Sequence, residues 1–237
     1  YAGDDYLTKQ LNNVTHATYE VGSTMKPFAL LATINAGVSL NTYFNGNSYH
    51  TFPGITQTVS NYGGENLGYV NLYTATEQSS NTVYMDLQTK LGAKKIAQTA
   101  HKAGVENKSL DGSNPFTVLG NNGLSLEDMT RGYATIANQG NKPTLHIVAT
   151  VKNAKGKEMY NAPTSTEQVF DANSANLVTK ALTGVIQRGT ATEARSIGHT
   201  IAGKSGTAND SMAASFIGYT PSVLTSVAMW YPDANGN

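Results

Sequence analysis

Cysteine is missing from all 237 residues. Its absence excludes disulfides, thiolate catalysis and cysteine-built zinc sites, and it suits an exported protein. Charge is scarce. Charged residues make up 14% of the chain, against roughly 25% in ordinary soluble domains. The 16 Lys and Arg balance the 16 Asp and Glu, so no general pull toward nucleic acid or anionic lipid is expected. No run approaches the roughly 18 apolar residues of a membrane span, and no signal peptide is visible. The chain opens on Tyr1 and closes on Asp233-Ala-Asn-Gly-Asn237. It reads as a piece of a longer protein, with any anchor or secretion signal outside it. The five histidines (His16, His50, His101, His146, His199) fall in no metal-ligand spacing. The length suits one large domain, or a domain with an inserted lobe, whose core needs no staples.

What is present is rich in hydroxyls, amides and glycine. Three short patterns stand in order: Ser23-Thr-Met-Lys26, Ser79-Ser-Asn81 and Lys204-Ser-Gly206. Ser23 and Lys26 are three apart at a helix start, so their side chains share a face. A serine hydroxyl needs a base to become a nucleophile, and lysine serves only if burial or a second cation lowers its pKa. The Ser23 N–H should lie unpaired at the positive end of the helix, placed to donate to an oxyanion. Ser79-Ser-Asn81 alone is weaker, because capping of a broken helix explains it as well. Ser-x-Asn also occurs at Ser39 and Ser174, read as a loop and a helix cap. Lys204, Ser205 and Thr207 would face one groove or its rim, holding a carboxylate, with Gly206 allowing close approach. Gly198 through Ser205 matches a P-loop, but no apolar strand precedes it and no helix follows, so nucleotide binding is set aside.

Apolar spacing gives the elements. A helix starts at or just after Ser23 and stops near Gly37, with Pro27 in its first turn. Residues 38–70 read as surface connection. Residues 71–90 read as helix broken near Ser79–Asn81, residues 93–103 as another helix, and residues 105–123 as loop. Ser125 caps a helix to Asn138. His146–Lys152 and Lys157–Tyr160 resemble a hairpin. Ser174–Gln187 is a helix. Thr200–Lys204, Ala214–Tyr219 and Thr225–Tyr231 are strands.

Ser-x-x-Lys, Ser-Asp-Asn and Lys-Thr-Gly are the established signature of penicillin-binding proteins and class A β-lactamases. The chain resembles the transpeptidase domain of a penicillin-binding protein over nearly its whole length. The resemblance is carried by Gly22-Ser-Thr-Met-Lys-Pro-Phe28, Asn61-Tyr-Gly-Gly64, Gln78-Ser-Ser-Asn-Thr82, Tyr133-Ala with Ala137-Asn-Gln-Gly140, Gly189-Thr-Ala191, Ala202-Gly-Lys-Ser-Gly-Thr-Ala208 and Phe216-Ile-Gly-Tyr-Thr-Pro221. The second and last of these blocks are more like the bifunctional class A enzymes. Ser205 stands where threonine is commoner, and Val21 where proline is frequent. Tyr1–Tyr6 resembles the end of an early strand, which would put the family's first strand upstream.

The resemblance implies an α+β (α/β) fold, β-lactamase/transpeptidase-like, with an antiparallel sheet flanked by helices. The domain fills residues 1–237, with a mostly helical lobe inserted at about 38–140. It implies Ser23 as nucleophile and Lys26 as base. Lys204 is the second cation, Ser79 the proton relay, and Asn81 orients Lys26 or substrate. The Ser23 and Thr207 N–H groups form the oxyanion hole, and Ser205, Gly206 and Thr207 bind substrate. The implied substrates are peptidoglycan stem peptides, with β-lactams as inhibitors, and neither cofactor, metal nor nucleic acid takes part. An upstream glycosyltransferase domain, cell-wall synthesis partners and an anchored place on the outer face of a bacterial membrane are implied as well. Rival readings are a class B transpeptidase or DD-carboxypeptidase, a β-lactamase and a β-lactam sensor. A β-lactamase needs a deacylating glutamate, for which Glu127, Glu158 and Glu167 are the candidates.

Overall fold

The computed structural model describes residues 10–208 and 212–231. The segments Tyr1–Tyr6 and Asp233–Asn237, read above as a strand end and a terminus, lie outside the described residues.

The chain enters through the short strand β1 (Tyr19–Glu20). It then makes a 3-10 turn over Gly22–Met25 before the α-helix α1 (Lys26–Asn35) begins. The expected single helix from Ser23 is thus split. Gly22 takes φ +57°, outside the helical range, and Pro27 lacks the N–H that would bond back into the Ser23 turn. Lys26 through Thr33 are all buried. A helix covered on all sides belongs in the core, and α1 packs against α4, α6 and α3.

Strands β2 (Tyr43–Asn45) and β3 (Tyr69–Asn71) pair antiparallel. Helix α2 (Leu72–Glu77) follows directly, then α3 (Asn81–Leu91) and α4 (Ala93–Ala103). The expected break falls at Ser79, whose φ of +55° is left-handed. Ser80 then caps α3, its hydroxyl accepting from the Val83 N–H. Residues 38–70 are not simply surface connection: Leu40, Phe44, Phe52 and Val59 are buried, as are Ser48 and Asn61.

After β4 (Gly123–Leu124), which pairs with β1, comes α5 (Leu126–Ala137), capped by Ser125 as expected. Tyr133 on α5 meets Phe28 of α1 edge to face at 5.8 Å. Strands β5 (Asn141–Pro143), β6 (Thr150–Lys152), β7 (Glu158–Asn161) and β8 (Thr166–Gln168) form two ribbons, β5 with β8 and β6 with β7. The expected hairpin is β6–β7, but its first arm is shorter, because pairing begins at Thr150 opposite Asn161. Helix α6 (Ala172–Gln187) starts before Ser174. Asp171 is its cap, accepting from the Ser174 N–H at 3.0 Å, and Ser174 lies inside the first turn.

The chain ends in a three-stranded antiparallel sheet of β9 (Ala202–Thr207), β10 (Ala213–Tyr219) and β11 (Leu224–Trp230), in the order β11-β10-β9. Helix α6 packs on β9, and the Ser23 turn packs on β9 and β10. Helices in the middle and antiparallel strands at the end make the α+β fold expected from the sequence.

Candidate active site

Three chain segments meet beside β9. The backbones of Gly22 and Thr207 approach so closely that a Cβ on Gly22 would lie 2.5 Å from the Thr207 carbonyl oxygen. A Cβ on Gly206 would lie 2.5 Å from the Val21 carbonyl oxygen, and one on Gly120 would overlap the Gly22 backbone. Glycine is therefore required at all three positions, and the Ser23 turn is wedged between β9 and the loop at Gly120. The Gly22 N–H donates to the Gly120 carbonyl at 3.1 Å.

The register of β9 decides which backbone groups face this junction. The Ala208 N–H donates to the Ala213 carbonyl at 2.8 Å, and Ala214 faces Thr207. In an antiparallel ladder paired residues alternate, so Ser205 and Thr207 turn their N–H and C=O away from β10, toward Ser23. Among the described residues the Ser23 N–H has no backbone acceptor. The N–H groups of Ser23 and Thr207 are thus two donors at this junction that no described backbone acceptor engages, available to an oxyanion.

Behind them lie two fully buried amines. Lys26 Nζ donates to the Ser79 carbonyl (2.7 Å) and Asn81 Oδ1 (2.7 Å) and lies 3.2 Å from Ser79 Oγ, whose hydroxyl can donate to the neutral amine. Lys204 Nζ donates to Ser79 Oγ (2.9 Å) and the Ser205 carbonyl (2.9 Å). Ser79 Oγ bridges the two. Among the described residues neither lysine makes an ion pair. Burial without a countercharge disfavours an ammonium. It pushes Lys204 down to about 7, and burial together with the charge of Lys204 holds Lys26 well below the ordinary lysine value. A neutral amine near neutral pH can take a proton.

The Ser23 hydroxyl forms no hydrogen bond among the described residues; the Lys26 amine is engaged by Ser79 and Asn81 instead. Ser23 lines an open cleft of about 1110 Å³ with Ser79, Asn81, Thr190, Ser205 and Thr207. Contrary to the expectation from the sequence, Lys204 does not share the groove face with Ser205 and Thr207. Side chains alternate along a strand, so Lys204 dives beneath while the two hydroxyls line the cleft. The P-loop match also fails in space: β9 continues through Lys204 and Ser205 where a helix would have to begin.

Nearly the whole length carries one signature. Residues 1–233 match the penicillin binding protein transpeptidase domain. The chain belongs to that family. Penicillin-binding protein 1A of Rickettsia bellii is 31% identical over 259 residues, taking in 97% of this chain and 32% of the relative. The chain thus spans about a third of the length of the curated relatives it matches. Penicillin-binding protein PonA1 from Mycobacterium tuberculosis superposes with a TM-score of 0.81 at 28% identity, over 100% of this chain and 68% of that one. The imipenem acyl-enzyme of penicillin-binding protein A from the same organism has a TM-score of 0.84 at 22% identity, over 100% and 59%.

Around this transpeptidase-family cleft stand residues that sequence reasoning gave no role. Asn61 is buried and holds the Ser79–Asn81 segment. Its Oδ1 accepts from the Asn81 N–H (2.9 Å) and Ser80 Oγ (3.1 Å), while its Nδ2 donates to the Gly46 carbonyl (2.7 Å). The Tyr133 hydroxyl donates to the Thr24 carbonyl at 2.7 Å, tying α5 to the Ser23 turn. Both sit in blocks that carry the resemblance, which was their only signal. Gly120 and Thr190 complete the set. The three glutamates considered for a deacylating water lie elsewhere: Glu127 pairs with Arg131, Glu158 with Lys152 and Glu167 with Lys142.

Proposed function

We propose that this chain is a D-alanyl-D-alanine transpeptidase that cross-links peptidoglycan stem peptides through a serine acyl-enzyme. The observation that carries the reading is two buried amines sharing Ser79 Oγ beneath an open cleft that contains Ser23.

Ser23 Oγ attacks the carbonyl of the penultimate D-alanine. Neutral Lys26 takes the hydroxyl proton, after its amine turns from Ser79 toward Ser23. The Ser23 and Thr207 N–H groups stabilise the oxyanion. The C–N bond to the terminal D-alanine breaks, and Ser79 passes the proton held by Lys26 to the departing amine. Asn81 keeps Lys26 in place, and Lys204 discourages a permanent charge on it. Ser205 and Thr207 hydroxyls receive the terminal carboxylate, with Gly206 giving room. An amine of a second stem peptide then attacks the ester, losing its proton to the same relay, and frees Ser23. A β-lactam follows the first half of this path and leaves Ser23 acylated. The chain works on the outer face of a bacterial membrane, held by a segment outside it, alongside a glycosyltransferase domain and other cell-wall synthesis proteins.

The test offers the chain a donor peptide ending in D-alanyl-D-alanine and a free amine acceptor. Expected are release of D-alanine and a new amide in equal amounts, both lost in Ser23→Ala. Release with only the free acid formed would make it a DD-carboxypeptidase. Rapid hydrolysis of benzylpenicillin without peptide chemistry would favour a β-lactamase. Stable acylation by penicillin without either peptide product would identify a sensor.

A further inference from the structure

Thr190 has no part in the scheme above, yet its hydroxyl lies 2.7 Å from that of Ser205, on the wall of the same cleft. It is held there from behind. The Thr190 N–H donates to the Glu77 carbonyl at 3.1 Å. The buried Glu77 carboxylate takes Nη2 of Arg188 on one oxygen and Nε, at 3.4 Å, on the other. At Gly189 any Cβ would overlap the Glu77 carbonyl, and at Gly184 it would overlap the carboxylate. The end of α6 is thereby fastened to α2 just before Ser79, with Thr190 aimed across at β9.

A hydroxyl has one proton to give and two lone pairs. If Ser205 donates to Thr190, it has nothing left for an anion in the cleft. If Thr190 donates to Ser205, the Ser205 proton is free to point outward. Among the described residues Thr190 Oγ1 has no other partner, so nothing else there fixes the direction. An ionised carboxylate only accepts; seated against Ser205, it selects the second arrangement, and each hydrogen bond in such a chain strengthens the next. Serine lacks a branch at Cβ and rotates freely between staggered wells, so a partner that holds one well matters.

We propose that Thr190 is a substrate-positioning residue: its hydroxyl donates to Ser205 and turns the Ser205 proton toward the terminal carboxylate of the substrate. This rests on the reading of the cleft as a receptor for a peptide ending in a carboxylate.

A fluorescent penicillin and its methyl ester, which lacks the free carboxylate, separate the possibilities. The second-order acylation rate is measured for both with the full chain. Expected in Thr190→Val is a fall in the acid-to-ester preference of about tenfold, the worth of a hydrogen bond to a charged group. Thr190→Ser, which keeps the hydroxyl, should stay within about twofold of the unaltered chain. Ser205→Ala should show a similar fall, and the double variant Thr190→Val with Ser205→Ala no further fall, because the two act as one unit. Equal slowing of acid and ester, an unchanged preference, or additive losses in the double variant would each overturn the proposal. Failure of the underlying reading has a different signature: the unaltered chain then reacts with acid and ester at equal rates, or forms no adduct with either.

Discussion

At the scale of single residues, two lysines without carboxylates set the chemistry. In water both would be ammonium ions far above neutral pH. Here each is fully buried and donates only to neutral oxygens. The unfolded chain keeps a proton on Lys204 up to the ordinary 10.5, whereas the folded chain gives it up at about 7. Between those values the unfolded state binds more protons, so folding stability rises with pH. The depressed Lys26 acts in the same direction. Thermal unfolding should therefore show the midpoint rising from about pH 7 to about pH 9.5, and rising less in Lys204→Met. An equal rise in both proteins would mean that Lys204 is not held neutral. Lys26→Arg keeps a cation that cannot surrender its proton. Penicillin acylation followed by gel fluorescence should slow by about a hundredfold or more, the range of a lost general base.

At the scale of elements, the cleft depends on backbones that touch. The Ser23 turn is clasped by Gly120 on one side and β9 on the other, and Ser79 sits in a left-handed conformation between two helices. Strain of that kind survives only where surroundings over-determine it; here the surroundings are Asn61 and the two amines. Gly120→Ala would drive a methyl into the Gly22 backbone. Expected are loss of penicillin labelling and a lowered unfolding midpoint. Ser125→Ala is the matched control. It removes the α5 cap, where Ser125 Oγ accepts from the Asp128 N–H at 3.0 Å, without touching a residue that lines the cleft. Denaturant unfolding should show a loss of about 1 kcal/mol, with labelling per folded molecule unchanged.

At the scale of the whole molecule, local signals carried the helices and long-range contacts hid much else. Helix α4 was plain because Ile96, Ala97, Ala100 and Ala103 bury one face and Gly104 ends it in a left-handed conformation. Ser125 was plain as a cap because its partner lies three residues on. Asn61 reads locally as one more polar residue in a loop; its partners Gly46, Ser80 and Asn81 lie 15, 19 and 20 positions away. Thr190 meets Ser205 across 15 residues and Glu77 lies 111 from Arg188. The start of α1 is not legible locally, because the close approach of Gly22 to Thr207, which favours the turn, is a tertiary fact. Ser174 reads as a cap in isolation, but Asp171 three residues earlier takes that role.

Acylation at Ser23 is the event to observe. The chain is incubated with benzylpenicillin, digested, and its peptides mapped by tandem mass spectrometry. Expected is one added penicilloyl group on the peptide spanning residue 23, fragmenting to the serine itself, and none in Ser23→Ala. A penicilloyl group on any other residue, or an adduct that persists in Ser23→Ala, would contradict the mechanism at its root.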